Sequence, residues 1–149
     1  MKAIAELLTP ERIVDLSQHD KNAILARLAD VAATHPAVHD RDELLEKILA
    51  REQLMSTGIG IGLAVPHARL DSVDEFVIAL GRSREGIEYG ALDGQPVHLV
   101  FLIAAPEVAR EEYLRLLARI TLHLKDPGCF KRVLEAPTAA DVHALLSEE

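Results

Sequence analysis

Cysteine is nearly absent from this sequence of 149 residues, in which Cys129 is the single thiol. One cysteine excludes an internal disulfide and the cysteine-rich zinc clusters that hold many small domains together. A chain of this length can bury a substantial apolar core without such cross-links. We therefore expect a single domain over residues 1–149, in which Cys129 is a small, partly buried apolar side chain.

Long apolar runs are also missing, although 49% of the residues are hydrophobic. The longest uninterrupted run, Leu99 to Pro106, is far shorter than the roughly 20 residues that a membrane-spanning helix needs. Near the N-terminus, Glu6 interrupts the apolar residues before they could form the hydrophobic part of a secretory signal. These patterns predict a cytoplasmic protein that does not insert directly into a membrane.

Positive charge is in deficit, because the sequence has 16 Lys and Arg residues but 24 Asp and Glu residues, which gives a formal net charge of −8. A field of this sign repels a phosphate backbone, which argues against nucleic acid as a partner. His35 and His39 are close in sequence, but Pro36 between them disfavours the shared helical face that a two-histidine metal site would use. No obvious third ligand accompanies them, so we expect neither a metal ion nor another cofactor.

Motifs for nucleotide binding and hydrolysis are absent too. The segment Ser56 to Gly62 is rich in glycine, but a P-loop needs a Lys-Ser or Lys-Thr pair after its last glycine, and here Leu63-Ala64 follow. No Gly-x-Ser-x-Gly elbow is present, and no Cys-His or Ser-His-Asp arrangement stands at recognisable positions. The sequence therefore gives little support to a hydrolase.

Hydrophobic spacing predicts an α/β (mixed α+β) fold, a three-layer sandwich with a central mixed β-sheet flanked by helices. Asp20, Asp40 and Thr138 are expected to begin helices as capping residues. A longer helix beyond Pro106 is expected to cover one sheet face with Tyr113, Leu114, Leu117, Ile120, Thr121 and Leu124. Short apolar runs predict strands at Arg12–Leu16, Leu63–Val65, Phe76–Leu80 and Val97–Ala104, and a helical turn is expected at Phe130–Leu134.

The glycine-rich segment leads to His67, the strongest candidate for chemistry. A neutral imidazole is a nucleophile near neutral pH, and Pro66 restricts the backbone that enters this histidine. Backbone N–H groups of the glycine-rich turn, with the hydroxyls of Ser56 and Thr57, can surround a tetrahedral anion. From these features alone, an ordinary loop or packing role for His67 stays open.

The other histidines are expected to be structural. His98 begins the apolar strand, where a bond to a backbone group is expected more than a chemical role. His123 and His143 belong to predicted helices and carry no motif. His67 is therefore the histidine on which a functional prediction rests.

A long pattern ends at His67: Ala50-Arg-Glu-Gln-Leu-Met-Ser-Thr-Gly-Ile-Gly-Ile-Gly-Leu-Ala-Val-Pro-His67. It closely resembles the signature of phosphotransferase system enzyme IIA domains of the fructose/mannitol class, which includes the nitrogen-regulatory IIA proteins. The resemblance implies that His67 is the phosphorylated histidine of a phosphotransferase component. It covers nearly the whole chain and continues through Gly86-Ile87, Asp93–Val97, Phe101–Pro106 and Tyr113–Ala118.

The same resemblance implies supporting residues around His67. Arg51 matches an arginine of the signature and can bind phosphoryl oxygens or a partner's carboxylate, although a cation at a helix end explains it equally well. Ser56 and Thr57 are candidate hydroxyl donors, with turn and capping roles as the alternative. Tyr113 stands where many relatives carry a second histidine, and its hydroxyl can donate a hydrogen bond without supplying an imidazolium charge.

The resemblance also implies partners. In that family the histidine accepts phosphate from the histidine-containing phosphocarrier protein and passes it to an enzyme IIB domain. An alternative is a regulatory module of the nitrogen-regulatory IIA type, whose choice of target protein depends on phosphorylation without onward transfer to sugar. Transient docking of either partner is expected to use an apolar rim near the histidine, with Ile61 and Leu63 as candidates, although core packing explains them at least as well.

Overall fold

The computed structural model describes residues 3–148, so Met1, Lys2 and Glu149 of the predicted domain lie outside the described residues. Within that range, no helix has both the length and the apolar character to cross a membrane. The helices are α1 (Ile4–Leu7), α2 (Lys21–Ala32), α3 (Arg41–Leu54), α4 (Arg110–Leu124), α5 (Pro127–Glu135) and α6 (Ala139–Leu146). The strands are β1 (Ile13–Asp15), β2 (Gly58–Gly60), β3 (Leu63–Ala64), β4 (His67–Leu70), β5 (Val77–Ile87) and β6 (Val97–Pro106).

Side-chain caps begin four of these helices, and the cap of α5, Asp126, was not predicted. Asp20 and Asp40 each accept a hydrogen bond at 3.0 Å from the backbone N–H three residues later, and the Thr138 hydroxyl does so at 3.1 Å. Such caps satisfy N–H groups that have no partner inside the helix. The three helix starts predicted from the sequence are confirmed.

The strands form one mixed sheet in the order β1-β5-β6-β3-β2, with β4 also paired to β6. β1 is parallel to β5, β5 is antiparallel to β6, and β2 is antiparallel to β3. β3 and β4 pair in parallel with successive parts of β6, so that Leu63 is opposite Leu99 and His67 is opposite Ile103. The loop between β3 and β4 therefore places His67 beside the second half of the central strand.

Strand β6 is buried on both sides and joins two apolar layers. Val100, Leu102 and Ala104 belong to a cluster that includes the buried residues of α2 and α3. Their neighbours on the opposite face, including Phe101 and Ile103, belong to a second cluster with α1, α4, α5 and α6. This alternation follows from the two-residue period of a strand. The predicted three-layer sandwich with a central mixed sheet is confirmed.

The buried face of α4 agrees with the predicted one at most positions, with Leu117 packed against the core, but not at Leu114. Tyr113, Leu116, Ile120 and Leu124 are buried, whereas Leu114 is 49% exposed. Leucines at adjacent positions of this helix allow two apolar stripes at helical spacing, and periodicity alone does not choose between them. Packing against the sheet selects the stripe that contains Leu116, which leaves Leu114 facing outward.

Several element boundaries also differ from the sequence predictions. β5 continues to Ile87 although its second half is polar, because Arg82 is buried and donates to the Asp15 carboxylate and the Val133 carbonyl. The short strands β2 and β4 and the helix α1 were not predicted. The expected turn near Phe130 is a helix of nine residues that begins at Pro127, and Cys129 within it is buried.

Candidate functional site

His67 is held in one orientation by its own chain. It is the first residue of β4, and its Nδ1 lies 2.9 Å from the Val65 carbonyl oxygen. A carbonyl can only accept a hydrogen bond, so Nδ1 carries the proton and the neutral ring keeps its lone pair on Nε2. Among residues 3–148, no hydrogen-bond partner contacts Nε2. The local geometry therefore presents one ring nitrogen as a nucleophile.

The surroundings of His67 keep the imidazole neutral. Burial lowers its pKa below the usual value of about 6.5, and the nearby charges of Arg51 and Arg69 act in the same direction. The hydrogen bond to Val65 and the charge of Glu52 oppose this shift without reversing it. The ring also packs on Tyr113, with 4.7 Å between ring centroids. At neutral pH, His67 is an uncharged nucleophile in a fixed position.

Positively charged side chains surround the cleft that contains His67. The cleft has a volume of about 460 Å³ and includes one acidic residue, Glu107, among its lining. This local excess of positive charge contrasts with the net charge of −8 of the whole chain. Guanidinium and ammonium groups are the usual protein ligands for phosphoryl oxygens. The cations that line the cleft are Lys47, Arg51, Arg69 and Arg110.

Two of the residues predicted from the sequence lie in this cleft with His67. Arg51 lines it and also donates from Nη1 to the Met55 carbonyl oxygen at 2.9 Å at the end of α3, while its role in binding phosphate stays a prediction. Tyr113 lines it from the first turn of α4. Burial raises the pKa of Tyr113 to about 12, which keeps its hydroxyl protonated as a donor.

The predicted hydroxyl donors lie outside the cleft lining. Thr57 is buried, and its hydroxyl contacts Glu52 and lies 3.0 Å from the Tyr89 hydroxyl. The Ser56 hydroxyl accepts from the Gly58 N–H at 3.0 Å. The Thr57 hydroxyl therefore contacts α3 and the segment after β5, and the Ser56 hydroxyl bonds within its own loop. Their role in binding phosphate stays a prediction.

The residues proposed as an apolar rim do not line the cleft, and Leu63 follows the core-packing alternative. Leu63 is fully buried in the core, and Ile61 is 49% exposed in the glycine-rich turn, where neither belongs to the cleft lining. The exposed apolar side chain that lines the cleft is Leu114. Leu54 and Met55, at the end of α3 beside Arg51, are also exposed.

Three cations of the cleft were not predicted, yet each has a simple spacing to a residue that was. Lys47 precedes Arg51 by one helical turn of α3, and Arg110 precedes Tyr113 by one turn of α4. Arg69 is the second residue after His67, on the same face of β4. All three could have been predicted from the residues that share a face with Arg51, Tyr113 or His67, provided that the strand after His67 was recognised.

Five other histidines, His35, His39, His98, His123 and His143, have structural partners, and His35 and His39 each contact a carboxylate. Nε2 of His39 lies 2.6 Å from the Asp74 carboxylate and Nε2 of His35 lies 3.4 Å from that of Glu75. Nδ1 of His98 donates to the Ser83 carbonyl oxygen at 2.9 Å, as expected for a strand histidine with a backbone partner. In the described part of the chain, no group of three or more His, Cys, Asp or Glu side chains is arranged to hold a metal ion.

Comparison with known proteins gives a family match over almost the whole chain. The family model described as "Phosphoenolpyruvate-dependent sugar phosphotransferase system, EIIA 2" matches residues 6–149. The nitrogen regulatory protein of Pseudomonas aeruginosa is 34% identical over 98% of this chain and 96% of its own length. The fructose-specific EIIABC component of Bacillus subtilis is 42% identical over 89% of this chain, but the match spans only 21% of that longer protein.

Solved structures show the same fold. The nitrogen regulatory protein IIA-Ntr of Neisseria meningitidis superposes with a TM-score of 0.89 at 30% identity, covering 96% of this chain and 98% of that chain. Enzyme IIA mannitol of Escherichia coli, solved in complex with phosphorylated enzyme IIB mannitol, gives a TM-score of 0.83 at 22% identity. It covers 96% of this chain and 100% of the other, and at this identity the likeness concerns the fold alone.

Proposed function

The chain belongs to the EIIA 2 family of the phosphoenolpyruvate-dependent sugar phosphotransferase system, and from this membership we propose that it carries a phosphoryl group on Nε2 of His67. The observation that supports this atom most directly is the 2.9 Å hydrogen bond from Nδ1 to the Val65 carbonyl, which leaves the lone pair on Nε2. Transfer also needs positive charge beside the phosphoryl oxygens, and the cations that line the cleft supply it.

Phosphoryl transfer at this site needs little covalent machinery. The Nε2 lone pair attacks the phosphorus of a phosphorylated donor in line with the leaving atom, so that the new N–P bond forms while the donor's bond to phosphorus breaks and its electron pair returns to the donor. The Nδ1 proton stays on its hydrogen bond to Val65, and the Val65 carbonyl oxygen stabilises the positive charge that the ring gains when Nε2 shares its lone pair. Arg51, Arg69 and the Tyr113 hydroxyl are the proposed donors to the three equatorial oxygens.

The proposed donor is the histidine-containing phosphocarrier protein, and the proposed acceptor is an enzyme IIB domain. Support for the acceptor comes from the similarity in fold to enzyme IIA mannitol, which was solved with phosphorylated enzyme IIB mannitol. Exposed Leu54, Met55 and Leu114 near the cleft supply apolar area for a transient interface of modest size. A cytoplasmic location is part of the same proposal.

The experiment incubates the full chain with phosphoenolpyruvate, enzyme I and the phosphocarrier protein, followed by intact-mass measurement and phosphorus NMR. We expect one acid-labile phosphoryl group with the chemical shift of a phosphohistidine substituted on Nε2. An unlabelled wild-type protein, or full labelling of the His67→Ala variant, would contradict the proposal. Labelling on Nδ1 would contradict the assignment of the atom.

A second candidate function is regulation of a target protein. The relative in Pseudomonas aeruginosa, matched over nearly its whole length, is named a nitrogen regulatory protein. Phosphorylation adds about −1.5 to −2 charges, by analogy with other phosphorylated side chains, and would roughly halve the net positive charge of a cleft lined by four cations and one carboxylate. A regulatory target should therefore bind the two forms with different affinities, and equal affinity for every candidate target would count against this function.

A further inference from the structure

Glu52 is a buried carboxylate that the proposed chemistry does not use. Its side chain is 5% exposed and projects from the last turns of α3. Lys21 forms an ion pair with it at 2.7 Å, the Tyr89 hydroxyl donates to it at 2.9 Å, and the backbone N–H of Thr57 donates at 3.2 Å. The Thr57 hydroxyl contacts the same carboxylate. Four donors thus satisfy the acceptor positions of one ionised side chain.

This carboxylate is ionised although it is buried. Burial by itself would raise the pKa of Glu52, but the bonds from Lys21, Thr57 and Tyr89 outweigh it and hold the pKa below its usual range. Lys21 balances the charge and also lies over the Tyr89 ring, 4.2 Å from its centroid. The cluster of Lys21, Glu52, Thr57 and Tyr89 is therefore a neutral, saturated network rather than an isolated buried charge.

Backbone hydrogen bonds connect this network to the imidazole of His67. Glu52 holds Thr57 through both its N–H and its hydroxyl. The Thr57 carbonyl oxygen accepts from the Val65 N–H at 3.0 Å, and the Val65 carbonyl oxygen accepts from Nδ1 of His67 at 2.9 Å. Val65, whose carbonyl oxygen selects the tautomer of His67, is thus anchored through its N–H by Thr57, the residue that Glu52 fixes.

We propose that Glu52 is a positioning residue for His67, acting through Thr57 and Val65 to hold the Nδ1–H tautomer and keep Nε2 directed for phosphoryl transfer. The effect on the ring is independent of phosphorylation, and only the kinetic consequence rests on the proposed function. Arg51 is the neighbour of Glu52 on α3, so the same anchor fixes the end of the helix that brings a cation into the cleft.

The test measures the His67 tautomer directly, using nitrogen-15 NMR of the unphosphorylated protein at a pH where the ring is neutral. Glu52→Gln retains the size of the side chain, but its amide has one acceptor oxygen and directs N–H groups at existing donors. We expect the ratio of Nε2–H to Nδ1–H forms at His67 to rise about three- to tenfold, the effect of weakening one neutral hydrogen bond. Tyr89→Phe, which removes one donor to Glu52, should give a smaller shift in the same direction.

Two controls separate positioning from general loosening of the fold. His98 has the same Nδ1 bond to a carbonyl, on Ser83, and should keep its tautomer in every variant. Glu46→Gln, at an exposed position of the same helix, should leave His67 unchanged. An unchanged His67 tautomer in folded Glu52→Gln and Tyr89→Phe, or an equal change at His98, would overturn the proposal.

The kinetic measurement follows phosphoryl uptake at saturating phosphocarrier protein. The rate of the transfer step should fall about tenfold in Glu52→Gln, because a small misplacement of a reacting group is costly, while the concentration for half-saturation stays near that of the wild type. A shifted tautomer with an unchanged transfer rate would overturn the role in transfer. Failure of the wild type to accept phosphate would remove the proposed function but leave the tautomer result as a separate test of Glu52.

Discussion

The regions around His67 and His98 start from the same local geometry. Each imidazole is half-buried, and each donates from Nδ1 to a backbone carbonyl oxygen at 2.9 Å. Nε2 of His67 belongs to a cleft lined by arginines, whereas the ring of His98 lies against glycines. A Cβ atom added to Gly86 would lie 3.0 Å from Cε1 of His98 and 3.4 Å from its Nε2. Both histidines thus have a fixed tautomer. His67 differs from His98 because its ring lines an open cleft and has positively charged neighbours.

The largest effect expected from this contrast comes from removing each ring. His67→Ala should abolish phosphoryl labelling, because no second accessible ring nitrogen occupies the cleft. His98→Ala should keep the label but lower the free energy of unfolding by about 1–3 kcal/mol, because the Ser83 carbonyl loses its partner. Intact-mass measurement and denaturant unfolding check the two halves, and loss of labelling in a folded His98→Ala protein would break the comparison.

The next effect concerns the cations. Arg51→Gln should slow phosphoryl uptake by about 100-fold, since it removes a charged donor from the place where the transferred oxygens are expected. Arg84→Gln, an exposed arginine next to Ser83 at the His98 end of the sheet, serves as the matched control and should change the rate less than twofold. Stopped-flow or quenched measurements of uptake compare the two variants, and equal rates would remove Arg51 from the site.

A smaller effect is expected at Tyr113. Tyr113→Phe preserves the ring that packs on His67 and removes the hydroxyl, so uptake should slow by about three- to tenfold if the hydroxyl donates to a phosphoryl oxygen. Tyr113→His restores a donor and can supply a positive charge, and we expect its phosphorylated form to last longer than that of Tyr113→Phe. Hydrolysis of the isolated phosphoproteins measures this difference, and identical lifetimes would assign Tyr113 to packing alone.

The smallest effect is the response to pH. Burial depresses the pKa of His67, so an NMR titration of this ring should give a midpoint below about 6.5. The unfolded chain then binds more protons than the folded protein, and the contribution of His67 to stability is complete above about pH 6.5 and declines as the pH falls through the folded-state value. Denaturant unfolding of the wild type and of His67→Ala at several pH values checks that this contribution to stability declines in acid. An NMR titration midpoint of His67 above about 6.5 would imply the opposite pH dependence.

Much of the fold could be predicted because local chemistry and packing agree. Asp20, Asp40 and Thr138 are caps both in the sequence pattern and in the structure. The apolar run from Val97 to Ala104 is almost the whole of β6, since a strand covered on both faces has no polar alternation. The second half of β5 could not be predicted, because the partners that allow Arg82 to be buried are distant in sequence.

The site was predictable at His67, Arg51 and Tyr113 through one long resemblance and not through loop chemistry. Lys47, Arg69 and Arg110 could have been predicted too, because each lies on the same face of its helix or strand as one of those three residues. Glu52 was not, because it stands between Arg51 and an exposed glutamine in a helix of which half the residues are charged, and nothing in that pattern shows which carboxylate is buried. Its partners come from α2, the loop after α3 and the segment after β5, which only the folded chain brings together.

The edge of the sheet formed by strand β4 bears on whether molecules of this protein can aggregate by strand pairing. Among residues 3–148 its one strand partner in the sheet is β6, so within this range one side of its backbone is an edge of the kind to which strands of other molecules can add. The edge is only four residues long, Pro66 before it has no N–H to donate, and Arg69 places a charge within it. These features leave the ring of His67 open to the cleft while offering little backbone for another strand to pair with.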